Sequence, residues 1–358
     1  MFTKSIKRVI SVVLCVLMLV SCGVTAFAAV TETEALKNAR DRFRPGEGPK
    51  TSNLVTEYQF AYPIESIATS NKKYPVVFMI GETTTEDSLG TELRETSFPL
   101  WASADYQKRF VNAGGAFIVL VRPEPVDSYL AGLVTNESSV RESVKAMVTD
   151  FLSKFSENVD LNRVSVVSWG DGCKLATKLV AETPDLFSSL VLLSPTYEPT
   201  SNEFTNLANV PLWLFACKKD SVSDFATYGT KFWDGVRIST SHTYVSRYTT
   251  FESFNETKGK NKHHETWEAA AYDMHYTGEH SGMKTIDAEN RTITFSNDDE
   301  GMISWLSSNG VDQTEGCSCV CHGSDDMLKK VLWFFKWMIS MMLKIEKNRM
   351  CECGIAHW

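Results

Sequence analysis

The chain has 358 residues, 43% of them hydrophobic and 22% charged, enough to bury the core of one sizeable domain with appendages. Net charge is −8; residues 1–28 carry +3 and residues 323–358 carry +2, which leaves −13 on the body between them. An acidic body excludes an ordinary nucleic-acid partner, because a phosphate backbone demands a basic footprint.

The chain opens on a targeting segment. Lys4, Lys7 and Arg8 precede an apolar run over 9–20 that is short for a membrane span. Ala26-Phe27-Ala28 offers a small-x-small cleavage site near Ala28 or Ala29, so residues 1–28 read as a signal peptide. Leu19-Val20-Ser21-Cys22 also resembles a bacterial lipobox, with Cys22 as the lipidated residue. Both readings place the protein outside the cytoplasm, secreted or held at the cell envelope. Residues 29–52 are polar, carry Arg44-Pro45-Gly46-Glu47-Gly48-Pro49 and read as a linker. The main domain is assigned to 53–312.

Residues 54–62 read as an early edge strand. Residues 74–80 are a continuous apolar run, the pattern of a strand buried on both faces. Residues 116–121, 163–167, 190–193 and 211–216 follow as further strands, with helical stretches at 142–155, 174–182 and 225–233. Strands alternating with helices imply right-handed crossovers. The expected class is α/β, a mostly parallel central sheet with helices on both faces. Residues 285–295 read as a β-hairpin turning near 288–290. The stretch 272–300 is expected to be an insertion near the mouth of the site.

Most of the chemistry sits in Arg163-Val164-Ser165-Val166-Val167-Ser168-Trp169-Gly170-Asp171-Gly172-Cys173-Lys174-Leu175-Ala176. It reads as strand, sharp turn, helix, with small residues at alternate turn positions. That is the layout of a nucleophile elbow, written G-x-S-x-G. Ser168 takes the first glycine position and Gly172 the last. The nucleophile position is then Gly170, which has no side chain. Ser168 is a weak candidate for a displaced nucleophile, since it sits two residues early at the strand end. Asp171, just after the tip and grouped with Gly81 and Glu82 in the expected oxyanion region, reads as a polar residue suited to a helix start. Cys173 and Cys217 read as small core hydrophobes.

Other segments accompany the elbow: Leu161-Asn162-Arg163 before it, Pro184-Asp185-Leu186-Phe187 after its helix, Val210-Pro211-Leu212-Trp213-Leu214-Phe215 through Asp220, and His264-Glu265-Thr266-Trp267. In this order, over residues 73–306, the chain resembles secreted α/β-hydrolases of the esterase, polyhydroxybutyrate-depolymerase and prolyl-oligopeptidase-like group. The resemblance implies an α/β-hydrolase fold with Asp220 as the acid and His264 as the base, in the chain order nucleophile, acid, base. It implies no cofactor for this domain. It also exposes two departures. One is Gly170. The other lies beside the oxyanion hole, where the family's His-Gly is Ile80-Gly81 here, followed by Glu82. A carboxylate near a developing oxyanion would oppose it. The expectation is a catalytically impaired surface protein that binds a small molecule, peptide or glycan. Two alternatives stay open: a working serine esterase or peptidase using Ser168, and a surface module whose tail carries the function.

The tail, residues 313–358, holds Cys317, Cys319, Cys321, His322, Cys351, Cys353 and His357. Thiolates and imidazoles in two clusters suit zinc; disulfides are the competing reading for an exported chain. Between the clusters, 327–344 is rich in Trp, Phe, Met and Lys. It reads as a helix that lies on a membrane surface or envelope partner, or packs on the metal clusters or the body. The tail also resembles a C-terminal module of secreted clostridial proteins.

Overall fold

The computed structural model describes residues 34–51, 54–65, 67, 71–81, 96–110, 113–124, 137–241, 245–258, 262–295 and 301–309. The strands are β1 (Arg44–Glu47), β2 (Val55–Ala61), β3 (Tyr74–Ile80), β4 (Phe117–Glu124), β5 (Val159–Trp169) and β6 (Ser189–Leu193). They continue with β7 (Leu212–Cys217), β8 (Arg247–Phe251), β9 (Ser253–Phe254), β10 (His280–Ser281), β11 (Lys284–Asp287) and β12 (Thr292–Ile293). Ten of them form one sheet in the order β1-β2-β4-β3-β5-β6-β7-β8-β11-β12, and β9 pairs with β10 beside it. The stretch from β4 to β8 is parallel throughout.

The apolar runs are continuous because both faces of the sheet are covered. Val76, Phe78, Val164, Val166, Leu190, Leu192, Leu212 and Leu214 face one core. Val77, Met79, Val167, Trp169, Val191, Leu193, Trp213 and Phe215 face the other. The first core is roofed by helices Glu137–Lys154, Gly172–Glu182 and Phe232–Ser239. The second is closed by the 3₁₀ turn Phe98–Ala102 and helices Trp267–Ala271 and Met302–Ser308. Helix Glu137–Lys154 puts Val140, Val144, Met147 and Phe151 on one stripe, and all are fully buried. Phe151 meets the rings of Tyr58, Phe60, Phe78 and Phe117 edge-on at 5.6–5.8 Å.

The expected class holds, with three differences. Residues 34–48 are not a linker. Residues 34–40 are helical, and β1 pairs antiparallel with β2. An edge strand needs no apolar run, and Pro45 lacks a donor that an edge strand need not supply. That is why this segment looked like linker sequence. β2 consequently lies one strand in from the edge. Second, residues 225–231 form a π-helical segment, Phe225–Lys231, and the α-helix follows as Phe232–Ser239.

Third, the hairpin lies away from the mouth. β11 and β12 pair antiparallel as the expected hairpin, with Thr285 opposite Ile293. Asp287 Oδ1 accepts from the amides of Glu289 and Arg291, both at 2.9 Å, and shapes the turn. However, β11 runs antiparallel to β8 with Asp287 opposite Arg247, the first residue of β8. The turn therefore sits at the N-terminal ends of the parallel strands. Among the described residues of the stretch, β10 pairs with β9, whose Phe254 donates its amide to His263 Nδ1 in the histidine loop at 3.1 Å.

Asp273 pins the second core. It is fully buried, takes Arg109 Nη1 on Oδ2 at 3.0 Å and the amide of Ile303 on Oδ1 at 2.7 Å. The second bond satisfies an N-terminal amide of helix Met302–Ser308 that has no partner within its own helix. Burial pushes the Asp273 carboxyl above the usual carboxylate range.

The chain leaves β3 for β4 on one side and returns to β5 on the other. The order therefore reverses between β3 and β5. In open parallel sheets the crevice outside the strand ends at such a reversal is where ligands bind. Gly81 follows β3 and Gly170 follows β5.

Candidate functional site

The elbow takes the expected form. β5 ends at Trp169, Gly170 has φ +58, and the helix starts at Gly172. A residue with a side chain would be strained at Gly170, as nucleophiles at such tips are. The Gly170 amide donates to Leu193 O at 3.0 Å. Gly172 is required for a different reason, close packing. A Cβ there would lie 2.3 Å from Gly81 O and 2.9 Å from Ile80 O. The elbow is thus pressed onto the end of β3, on the side where the oxyanion region is expected. Gly81 is buried there. Asp171 is half-buried, with φ −73 and ψ −22, and its side chain forms no cap bond to the helix. Glu82 lies outside the described residues.

Ser168 does not stand at the tip. It is a fully buried residue of β5, and its Oγ donates to Ile80 O at 2.7 Å. The hydroxyl fills the place of the template's first glycine by bonding the neighbouring strand. This corrects its reading as a displaced nucleophile.

Asp220 and His264 do meet. Asp220 follows β7, and its Oδ1 accepts from the amides of Val222 at 2.8 Å and Ser223 at 3.0 Å. Its Oδ2 lies 2.7 Å from His264 Nδ1. Both side chains are buried, at 1% and 5% exposure. A carboxylate only accepts, so Nδ1 carries the proton and Nε2 is the basic nitrogen of the neutral ring. The histidine sits in the 3₁₀ turn Lys262–His264, and its ring meets Trp267 edge-on at 5.4 Å.

Three residues without a role in the sequence reading tie these pieces together. Ser194, directly after β6, is fully buried with φ +46, and its hydroxyl lies 2.8 Å from that of Thr266, two residues past His264. Ser223, beside Asp220, donates to Pro195 O. The Leu193–Pro195 turn therefore contacts the elbow, the acid loop and the histidine loop at once. The signal in the sequence was slight: a Ser-Pro pair closing the apolar run of β6. Below the elbow, Phe98 stacks on Trp169 at 4.8 Å.

Cys173 and Cys217 are buried, as expected of small hydrophobes, and burial pushes the Cys217 thiol up. Cys317, Cys319, Cys321, His322, Cys351, Cys353, His357, the 327–344 stretch and residues 1–28 with Cys22 all lie outside the described residues. Among the described residues no group of three or more His, Cys, Asp or Glu could hold a metal ion, and no helix is long and apolar enough to cross a membrane.

An elbow beside the strand reversal, followed in order by an acid and a histidine on later strand ends, is the plan of one fold class. The chain has the α/β-hydrolase fold. Among solved structures it is similar to a thermostable esterase, with TM-score 0.53 and 18% identity, over 66% of this chain and 61% of that one. It is also similar to uncomplexed acylaminoacyl peptidase of Pyrococcus horikoshii, with TM-score 0.46 and 13% identity, over 65% and 40% of the two chains. For the orthorhombic crystal form of that peptidase the values are 0.47 and 14%, over 65% and 41%. The chain thus spans less than two thirds of the length of each. No family model and no curated protein matches the sequence.

Proposed function

We propose that this is an exported α/β-hydrolase-fold protein that binds a small molecule, peptide or glycan in the crevice between the ends of β3 and β5 and forms no acyl-enzyme. The observation that carries the reading is Gly170 at φ +58, the backbone of a nucleophile elbow without its attacking atom. Loss of the serine from a triad lowers turnover by roughly 10⁶. Export rests on the basic, apolar and small-residue pattern of residues 1–28, and envelope association on that pattern together with 327–344.

The test is a fluorophosphonate probe on the purified protein. The wild type is expected to remain unlabelled. Gly170→Ser is expected to gain labelling, at a stability cost of about 1 kcal/mol for a side chain at positive φ. Labelling of the wild type that disappears in Ser168→Ala would overturn the reading.

A further inference from the structure

Three residues of the histidine loop tie it to three places on the sheet. His264 Nδ1 reaches Asp220 Oδ2, after β7, at 2.7 Å, and the Thr266 hydroxyl lies 2.8 Å from that of Ser194, after β6. His263 Nδ1 accepts the amide of Phe254, in β9, at 3.1 Å. The two neighbouring histidines therefore play opposite parts. A ring that donates through Nδ1, as His264 does, keeps its bond whether it is neutral or charged. A ring that accepts through Nδ1 does so only while neutral, with its proton on Nε2. A proton on Nδ1 turns that acceptor into a second donor facing the Phe254 N–H. A pair of hydroxyls does not titrate near neutral pH. Of these three ties, the one to β9 alone is broken by acid.

β9 and β10 are two residues each, with Phe254 opposite His280 and Ser253 opposite Ser281. Among the described residues, two carboxylates from the segments flanking this pair act on His263. Glu256, just after β9, binds Lys219 Nζ at 2.6 Å; Lys219 first, and then His263, hold its carboxyl below the usual range. Glu279, just before β10, accepts the Thr257 amide at 3.0 Å; Thr257 first, and then His263, hold its carboxyl low as well. On the loop itself, Lys262 pairs with Glu265. A charged His263 thus exchanges the Phe254 amide for the field of two carboxylates. We propose that His263 is an acid-sensitive latch: neutral, it holds β9 on the histidine loop, and protonated, it releases the β9–β10 pair while His264 stays on Asp220. Histidine is the side chain whose ordinary charge change falls between about pH 5 and 8. Release takes up a proton, so it grows as pH falls through that range. Acid then loosens the site on its β8 side and leaves the acid–histidine pair intact.

The experiment is peptide-resolved hydrogen exchange of the full-length protein at about pH 7.5 and about pH 5, either side of an ordinary histidine, corrected for the intrinsic exchange rate. Protection of the peptide over 251–256 is expected to fall roughly 2- to 10-fold at the lower pH, the factor that one hydrogen bond of ordinary net strength is worth. Protection over 190–193, in the central sheet, is expected to stay. His263→Asn puts an amide oxygen where Nδ1 stood, an acceptor that does not titrate, and is expected to keep the 251–256 peptide protected at both pH values. His263→Ala is expected to leave it equally unprotected at both. Should His263→Ala fail to fold, as checked by thermal melting, the comparison of wild type with His263→Asn decides alone. Equal wild-type protection at the two pH values would overturn the proposal. So would an acid loss that persists in His263→Asn, which would assign it to another group, or one shared by 190–193, which would assign it to the whole fold.

Discussion

Gly172→Ala is expected to lower folding stability by about 3 kcal/mol, at the upper end of what overpacking a filled site costs. The methyl group would lie 2.3 Å from the carbonyl oxygen of Gly81 and 2.9 Å from that of Ile80. Both are backbone atoms at the end of β3, a strand buried along its whole length. No flexible side chain can swing aside, so either the helix or the strand end has to move. A denaturant titration of the two proteins measures the difference. A change below about 0.5 kcal/mol, the range of an ordinary surface substitution, would show that elbow and strand end are not in contact as described.

Arg109→Ala is expected to cost about 3 kcal/mol at neutral pH, because it leaves the Asp273 carboxylate buried without its cation. The figure is at the low end of the range for buried pairs, since Arg109 is 22% exposed. The penalty has a pH signature. Burial already raises the Asp273 pKa, and Arg109 opposes the rise. Removing Arg109 raises it further. A carboxyl whose folded pKa lies above its unfolded value adds stability below the unfolded pKa, and that stability is lost as pH rises through the folded pKa. The variant should therefore recover toward the wild type as pH falls toward about 4, the ordinary aspartate value. A penalty independent of pH would assign the loss to packing of the arginine stem.

The buried strands were readable because a strand covered on both faces writes itself as an unbroken apolar run. Residues 74–80 and 190–193 are of that kind. β1 was not readable: Arg-Pro-Gly-Glu has no apolar pattern, and its pairing with β2 rests on backbone bonds that any sequence can supply. In the site, the elbow was readable from its small residues, whereas the acid and histidine were placed by the resemblance of their segments to α/β-hydrolases; Asp220 and His264 lie 2.7 Å apart. The pairing of Ser194 with Thr266 joins residues 72 positions apart through two hydroxyls. No local pattern encodes such a contact. The hairpin was recognisable as a hairpin, but its position depends on which strand it pairs with, and a hairpin's own sequence does not record that.

The two ends of the sheet bear on how this chain meets copies of itself. A parallel sheet cut off at β4 and β8 would expose long rows of unpaired amides and carbonyls, a template for any other extended chain. Here the row beyond β4 is capped by β2 and then by β1, four residues long with Pro45 inside it. The row beyond β8 is capped by β11 and then by β12, two residues long. Among the described residues, an incoming strand would find only a few backbone groups at either rim, one of them missing its N–H. Short outer strands and an edge proline are what keep sheets from joining end to end, so crowding of the folded protein should leave it dispersed rather than stacked into fibrils.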